Sequence, residues 1–318
     1  MRAAILHGAH DFRIEERPTP EIKASECLIQ VHACGVCHSE IHQWRYKLDG
    51  LDYPRFIGHE VAGRVIAVGE NITKVKPGDR VAVWTDGKGY AEQVAVSADY
   101  IFPLADDIPF SQAMAEPIAC TTNGVNRAGI QLGDVVVIVG VGFMGLILLQ
   151  QVRLCGALQV IAVDIRDEML TLAEDLGADV TINPQRENAL NVIKSLSGGR
   201  GADVVFEAGG SQETLNLAAQ LCRMEGKLVL FGYHPGARTI NDLGYWNWMA
   251  FDIINAHFRN IHTILNGARV GINLLNAHLL NLQPLITHEF MLDDIEAAFQ
   301  AAYDKPPGFV KSVLLMNE

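Results

Sequence analysis

A continuous apolar run that ends in a glycine-rich turn constrains the fold of this chain more than any other sequence feature. Residues 134–140 are DVVVIVG, a run typical of a strand that is buried on both faces of a parallel sheet. A GxGxxG motif completes the run, and a helical pattern follows it from about Leu146. The candidate cofactor-binding residues of this motif are Gly140, Gly142, Phe143, Met144 and Gly145. A strand, a glycine turn and a helix in this order predict a dinucleotide-binding βαβ unit.

Each glycine of the motif is predicted to meet a separate physical requirement. Gly140 permits a tight turn, and Gly142 lets the backbone approach a pyrophosphate. Gly145 lets the helix pack on the sheet while the first amides of the helix face the anion. A glycine turn without any nucleotide is the alternative interpretation, and the flanking strand and helix argue against it.

An acidic residue at the end of the next strand bears on the choice of cofactor. Asp164 lies nineteen residues beyond Gly145 and closes a second apolar run. A carboxylate there accepts hydrogen bonds from an adenosine ribose diol and repels a 2′-phosphate, so we predict NAD. Arg166 leaves NADP open, because a guanidinium can accommodate that phosphate.

The sequence changes its pattern along the chain. In the first hundred residues, β-rich runs alternate with turn residues, as in antiparallel β structure. These runs are 27–33, 60–69, 79–84 and 92–97. From about residue 132 strand-like and helix-like segments alternate, which is typical of βαβ units with a parallel sheet.

The predicted fold class is therefore α/β, with a β-rich domain and a doubly wound parallel sheet. Residues 1–122 and a returning segment, 259–318, are assigned to the β-rich domain, and 123–258 to the nucleotide-binding domain. Within the parallel part, Ser211 is predicted to begin a helix that Gly226 would end.

Charge and hydropathy exclude several classes of function. The chain of 318 residues has 25 Lys and Arg against 37 Asp and Glu, a net charge of −12 that opposes binding to nucleic acid. The longest apolar run, 135–149, is interrupted by glycines and too short to span a bilayer, so no membrane partner is expected. The first residues show no secretory signal pattern, and a cytoplasmic location is expected.

Two of the six cysteines lie close together, within Cys34 to His38. The string CxxCH is also a c-type haem attachment signature, which the missing export signal disfavours. A redox CxxC is disfavoured as well, because the motif follows a β-run and does not open a helix in a thioredoxin-like pattern. Cys34 is predicted to be a buried structural residue. Cys37, His59 and Glu116 are a thiolate, an imidazole and a carboxylate, the ligand types that zinc accepts, but their spacing matches no local zinc motif.

Six segments of the chain, in this order, resemble the zinc-containing branch of the medium-chain dehydrogenase/reductase superfamily, the alcohol and polyol dehydrogenases. They are CGVCHSEIH at 34–42, GHEVAGRVIAVG at 58–69, KPGDRVAV at 76–83, AEPIAC at 115–120, GVGFMG at 140–145 and PLITH at 284–288. The ordered set covers essentially the whole chain. It implies a GroES-like catalytic domain beside a Rossmann domain.

The resemblance implies one catalytic zinc ion. Cys37 and His59 match its ligands, and Glu116 matches a position that is a carboxylate in sorbitol-dehydrogenase-like members. Glu60 offers a second carboxylate that could tune or temporarily replace a ligand. Three protein ligands leave a fourth position open for water or substrate. A surface acid before a proline is the alternative interpretation of Glu116.

The resemblance also implies a proton relay and two cofactor contacts. Ser39 and His42 match the relay, in which the serine hydroxyl passes the substrate proton, by way of the nicotinamide ribose, to the imidazole. His38 and Lys311 match basic residues that meet the pyrophosphate. The alternatives are that Ser39 caps a helix beginning near Glu40 and that His42 is a solvated surface residue.

One departure from the family concerns its structural zinc lobe. Residues 85–89 lead directly to Tyr90, where relatives have four cysteines in a loop, so we predict that the structural zinc is missing. Family members associate through the nucleotide-binding domain, and we expect a homodimer or homotetramer with an edge strand near 257–265 as the contact.

The sequence therefore predicts a zinc-dependent oxidoreductase that transfers a hydride between a secondary alcohol and NAD. Glu116 favours a polyol, sugar or cyclitol as the small-molecule substrate. The alternatives are a simple aliphatic alcohol dehydrogenase, a metal-free NADPH quinone or enone reductase of the same superfamily, and a scaffold without activity.

Overall fold

A computed structural model describes residues 1–46 and 50–316 of the chain. Its β-strands are β1 Arg2–Gly8, β2 Asp11–Glu16, β3 Glu26–Gly35, β4 Glu60–Val68, β5 Arg80–Trp84, β6 Gln93–Ser97, β7 Ile101–Pro103, β8 Val135–Val139, β9 Gln159–Val163, β10 Val180–Ile182, β11 Ala202–Glu207, β12 Cys222–Leu230, β13 Asp252–Asn255, β14 His288–Met291 and β15 Ser312–Leu315. Its α-helices are α1 His38–Arg45, α2 Ala115–Ala128, α3 Phe143–Leu154, α4 Asp167–Asp175, α5 Ala189–Leu196, α6 Gln212–Leu221, α7 Leu243–Met249, α8 Ile261–Asn276 and α9 Ile295–Asp304.

The chain forms two compact units. The first comprises Met1–Ala119 and the chain from Ile264 onward. Its main sheet has the order β14-β15-β3-β4-β5-β7, with β6 also pairing with β3, and β1 pairs with β2 in a separate ribbon. Most of these pairs are antiparallel, which agrees with the β-rich pattern of the sequence. Helix α9 packs on β15 and closes an aromatic core that includes Trp44, Tyr90 and Phe299.

The second unit, Cys120–Thr263, is a six-stranded parallel sheet. Its strand order is β10-β9-β8-β11-β12-β13, so the chain moves outward in one direction from β8 and then crosses to the other side. All five residues of β8 are buried, as expected for a strand covered on both faces. The predicted α/β fold class, a β-rich domain with a doubly wound parallel sheet, is confirmed.

The structure confirms the predicted start of one helix and contradicts its predicted end. Ser211 caps α6, where its side chain and that of Thr214 form a reciprocal capping box. The helix ends at Leu221, however, and not near Gly226. Strand β12 begins at once, because the chain from Cys222 pairs with β11.

Two further predictions are corrected. Cys37 is the N-cap of α1, so Ser39 lies inside the helix and is not its cap. The edge strands of the parallel sheet are β10 and β13, and the range 257–265 lies after β13, Asp252–Asn255, and includes the start of α8. Among the described residues, no helix combines the length and apolar character needed to cross a membrane.

Candidate functional site

The pairing of β3 with β4 brings the candidate metal ligands together. Gly35 at the end of β3 lies opposite Glu60 at the start of β4. The chain leaves β3, passes Cys37 and enters α1, while His59 immediately precedes β4. Residues more than twenty positions apart in sequence therefore meet at one end of this strand pair.

Cys37, His59 and Glu60 offer ligand atoms that all lie within 4.8 Å of one another. Glu60 is buried, with 2% of its surface exposed, and its Oε2 accepts no hydrogen bond from the described residues. A buried carboxylate oxygen requires a positive partner, and the Lys311 ammonium, 2.6 Å away, is one. Sulfur, nitrogen and oxygen donors at this separation fit zinc. The carboxylate in this group is Glu60, which the sequence analysis treated as an auxiliary residue.

Glu116 does not belong to this group of three. It lies in the first turn of α2 and is partly exposed. The negative charge of Glu116 nevertheless acts on the candidate metal centre, because it contributes to raising the pKa of Lys311. The role of Glu116 as a zinc ligand stays a prediction.

Lys311 forms a buried ion pair with Glu60. Its ammonium group donates to Glu60 Oε1 at 2.9 Å and to the Val36 carbonyl at 2.8 Å. It also lies 2.6 Å from Glu60 Oε2, without hydrogen-bonding geometry. Burial alone would lower the pKa of Lys311, but the charges of Glu60 and Cys37 outweigh it and raise that pKa. Lys311 therefore stays charged beside Glu60, and its predicted contact with a pyrophosphate stays a prediction.

Glu40 is a further candidate site residue, which the sequence analysis missed. This buried carboxylate of α1 accepts hydrogen bonds at Oε1 from His59 Nδ1 at 2.9 Å and from the Gly58 amide at 2.7 Å. Burial raises the pKa of Glu40, but the charge and hydrogen bond of His59 with the other donors outweigh it and lower that pKa. The available signal was its position on the face of α1 that also carries Ile41 and Trp44, since that face is buried.

The surroundings of His59 favour positive charge. Burial alone would lower the pKa of His59, yet the charges of Glu40 and Cys37 raise it well above its ordinary value. The same negative groups would attract a metal cation in place of the proton. Because Glu40 holds Nδ1, the Nε2 atom is left for a metal, as in the carboxylate–histidine–zinc arrangement.

The three predicted relay and pyrophosphate residues at this end of the chain all lie on α1. Ser39 Oγ is 3.2 Å from Cys37 Sγ, and His42 lies one turn further along the helix. Burial, with the nearby charges of Lys305, His42 and Lys311, lowers the pKa of His38 to about 4. His38 is therefore neutral at neutral pH and would meet a phosphate through a hydrogen bond, not through charge.

In the second unit, the glycine turn joins β8 to α3. Gly140 has φ +94°, and a Cβ there would lie 2.8 Å from the Gly209 amide. A Cβ at Gly145 would lie 2.1 Å from the Gly140 carbonyl, so the helix packs directly on the turn. A Cβ at Gly142, by contrast, would meet only the Arg166 guanidinium, at 3.7 Å. Gly142 therefore faces open space at the start of α3, which begins at Phe143 and includes Met144.

Asp164 and Arg166 lie beside this turn, after the end of β9. Asp164 Oδ2 accepts a hydrogen bond from the Val141 amide at 2.9 Å, and Oδ1 accepts one from the Arg166 amide at 3.0 Å. The Arg166 Nε is 3.8 Å from Asp164 Oδ1. The two side chains whose chemistry distinguishes NAD from NADP are thus adjacent.

Comparison with known proteins identifies the family. Residues 23–106 match the alcohol dehydrogenase GroES-like domain, and residues 144–265 match the zinc-binding dehydrogenase domain. Sorbitol dehydrogenase from Gallus gallus is 30% identical over 94% of this chain and 92% of its own length. The chain belongs to the zinc-binding medium-chain dehydrogenases. This confirms the resemblance seen in the sequence, whereas the missing structural zinc lobe stays a prediction.

Solved structures of other dehydrogenases share the whole fold of this zinc-binding dehydrogenase. An oxidoreductase/dehydrogenase of unknown specificity from Escherichia coli is 27% identical, with a TM-score of 0.90 over 100% of this chain and 99% of its own. 2R,3R-butanediol dehydrogenase from Bacillus subtilis is 26% identical, with a TM-score of 0.87 over 99% of each chain. The GroES-like and Rossmann parts of the predicted fold are therefore confirmed.

Proposed function

We propose that this zinc-binding dehydrogenase oxidises a secondary alcohol, preferably a polyol, sugar or cyclitol, with one catalytic zinc ion and NAD. The observation that carries the proposal is the convergence of Cys37, His59 and Glu60 within 4.8 Å. Cys37 and His59 supply two zinc ligands, and Glu60 supplies the carboxylate of this group of three. Glu116 is the alternative third ligand.

Zinc and NAD would supply the alcohol activation and the hydride acceptor, whereas side chains of the protein supply proton transfer and positioning. Zinc would lower the pKa of the substrate hydroxyl, and NAD would accept the hydride. Ser39 takes the substrate proton and His42 carries it onward, both from α1. Glu40 holds His59 in one tautomer, and Lys311 holds Glu60.

The Rossmann unit supplies the cofactor contacts. Gly142 would admit the pyrophosphate close to the backbone, because a Cβ there meets only Arg166, and the first amides of α3 would donate to it. Asp164 accepts from the adenosine ribose, which favours NAD. Arg166 beside it reduces the penalty for a 2′-phosphate, so the preference for NAD over NADP is expected to be moderate.

Two relatives support the preference for a diol or polyol. The 30% identical relative is a sorbitol dehydrogenase and the 26% identical structure is a butanediol dehydrogenase. Simple aliphatic alcohols are the second candidate substrates. A metal-free NADPH quinone or enone reductase is disfavoured by the Cys37, His59 and Glu60 donor set, which such a reaction does not need.

The decisive experiment is a substrate screen on the purified protein. Alcohols, polyols and sugars are tested with NAD and with NADP, while zinc content is measured by elemental analysis. We expect polyol oxidation with NAD, loss of activity with a chelator and recovery with zinc. Full activity of the Cys37→Ser variant, or activity without bound metal, would refute the zinc mechanism.

A further inference from the structure

Tyr90 lies in the segment that links β5 to β6, and it contacts Glu40, the carboxylate that binds the candidate ligand His59. The whole residue is buried, and its ring packs against Phe12 and Phe299, with centroid distances of 6.3 and 5.7 Å. Its hydroxyl group lies 2.5 Å from Glu40 Oε2 and 3.1 Å from the Gly35 carbonyl. A buried hydroxyl therefore points at the carboxylate that holds His59.

The direction of this hydrogen bond follows from the charges. Burial and the neighbouring Glu40 carboxylate raise the pKa of Tyr90 well above its ordinary value, so the hydroxyl keeps its proton. It has one proton to give, and the shorter contact goes to the charged acceptor, Glu40. Glu40 thus accepts from Tyr90 at one oxygen and from His59 and the Gly58 amide at the other.

The backbone fixes the hydroxyl in place. The Gly89 amide donates to the Gly58 carbonyl at 2.9 Å, and the Tyr90 amide donates to the Ile57 carbonyl at 3.3 Å. A Cβ at Gly58, where φ is +103°, would lie 2.5 Å from the Tyr90 amide nitrogen. The tyrosine segment and the strand entrance that carries His59 are therefore in direct backbone contact and cannot shift independently.

We propose that Tyr90 is a positioning residue for the metal centre. Its hydroxyl fixes the Glu40 carboxylate, which fixes the orientation and tautomer of His59 and so presents Nε2 to zinc. This inference rests on the proposed zinc site. It extends the hydrogen-bonded support of the ligand by one further side chain.

The test measures zinc affinity in the full-length Tyr90→Phe variant by competition with a chromogenic chelator. The phenylalanine keeps the ring and removes only the hydroxyl, so far-UV circular dichroism of the metal-free protein should be unchanged. We expect zinc to bind roughly 3- to 10-fold more weakly, a smaller effect than the ~10- to 100-fold typical of a group directly on the ligand, as in Glu40→Gln. Tyr100→Phe, which alters a tyrosine whose ring contacts Trp84, is the matched control and should bind zinc like the wild type.

Two further measurements separate positioning from general packing. The double variant Tyr90→Phe/Glu40→Gln should bind zinc as weakly as Glu40→Gln alone, because the tyrosine acts only through Glu40. The visible spectrum of the cobalt-substituted protein should change in Tyr90→Phe and not in Tyr100→Phe. Wild-type zinc affinity and cobalt spectrum in Tyr90→Phe, or multiplicative effects in the double variant, would overturn the inference and leave the proposed function intact. A wild-type protein that binds no zinc would overturn both.

Discussion

Identical side chains three residues apart have opposite environments at the candidate metal centre. Cys34 is completely buried, and burial, with the charges of Glu40 and Glu60, raises the pKa of its thiol well above the ordinary value. It is an inert core residue, as predicted from the sequence. Cys37 is partly exposed and faces His59 and Glu60. Only the second cysteine is placed to bind a metal.

The two candidate carboxylates can be distinguished by neutral substitutions. We predict that Glu60→Gln weakens zinc binding by at least about tenfold, because it removes a charged ligand oxygen. Glu116→Gln should weaken it by less, because Glu116 lies outside the group of three ligand residues. Zinc affinity measured by chelator competition checks both variants.

A control is needed because Glu60→Gln also removes the partner of Lys311. A buried ammonium without a counter-charge costs about 3–5 kcal/mol of stability, so part of the effect could come from the fold. The double variant Glu60→Gln/Lys311→Met removes both charges, and its zinc affinity should stay as low as that of Glu60→Gln. Equal losses in Glu60→Gln and Glu116→Gln would show that both carboxylates bind the metal.

Two glycines of the nucleotide turn should respond differently to the same substitution. A Cβ at Gly142 meets only Arg166 at 3.7 Å, so Gly142→Ala should fold normally but hold the pyrophosphate away from the α3 amides. Loss of one such hydrogen bond corresponds to about a tenfold rise in the Kd for NADH. Gly145→Ala places a methyl group 2.1 Å from the Gly140 carbonyl and should lower the free energy of unfolding by about 1–3 kcal/mol. NADH fluorescence titration and urea unfolding check the pair, and an unfolded Gly142→Ala protein would contradict the assignment.

At the scale of the elements, local patterns predicted strands better than they predicted boundaries. The apolar run at 134–140 contains β8, and the run at 60–69 contains β4. Both were predictable because a strand that is buried on one or both faces has a clear hydrophobic pattern. The end of α6 was misplaced because pairing of Cys222 with β11 decides it, and no local signal reports that pairing. Residues 222–226 carry no feature that excludes a helix except Gly226 itself.

A carboxylate in β11 forms hydrogen bonds with both neighbouring strands of the parallel sheet, β8 and β12. Asp203 in β11 accepts a hydrogen bond from the Val135 amide in β8 at 2.9 Å and one from Arg223 Nε in β12 at 2.6 Å. Burial alone would raise the pKa of Asp203, but these donors and the charge of Arg223 outweigh it and lower that pKa. The ionised carboxylate is therefore the form that stabilises the sheet.

We predict that Asp203→Asn lowers the free energy of unfolding by about 1–3 kcal/mol at neutral pH, since a buried charge-assisted pair is lost. Because the folded pKa lies below the unfolded value, this contribution is present above about pH 4 and is lost as pH falls through the folded pKa. The difference between wild type and variant should thus narrow below pH 4 in urea titrations. Asp11→Asn, at an exposed pair with Arg13, is the control and should unfold close to the wild-type urea concentration. A constant difference down to pH 2 would assign the effect to packing.

At the scale of the whole molecule, the fold class followed from the sequence while the metal centre did not follow from spacing. Cys37 and His59 were grouped only through a family resemblance, because their separation matches no local zinc motif. The β3–β4 register that unites them is a tertiary feature. Glu40 and Tyr90 join the centre through tertiary hydrogen bonds, and of the two only Glu40 has a sequence signal, its place on the buried face of α1. The supporting residues of a site are thus harder to predict than its ligands.

The two candidate sites belong to different compact units, and this separation predicts independent binding. Cys37, His59 and Glu60 lie in the first unit, whereas Gly142 and Asp164 lie in the second. Chelation of zinc should abolish alcohol oxidation but leave the Kd for NADH within about threefold, because none of the predicted cofactor contacts, including His38 and Lys311, is itself a candidate zinc ligand. In the converse experiment, Gly142→Ala should lose NADH affinity and keep its zinc content. NADH fluorescence titration before and after chelation, with elemental analysis of the same samples, checks both. Loss of NADH binding together with zinc would show that the metal supports the cofactor as well as the substrate.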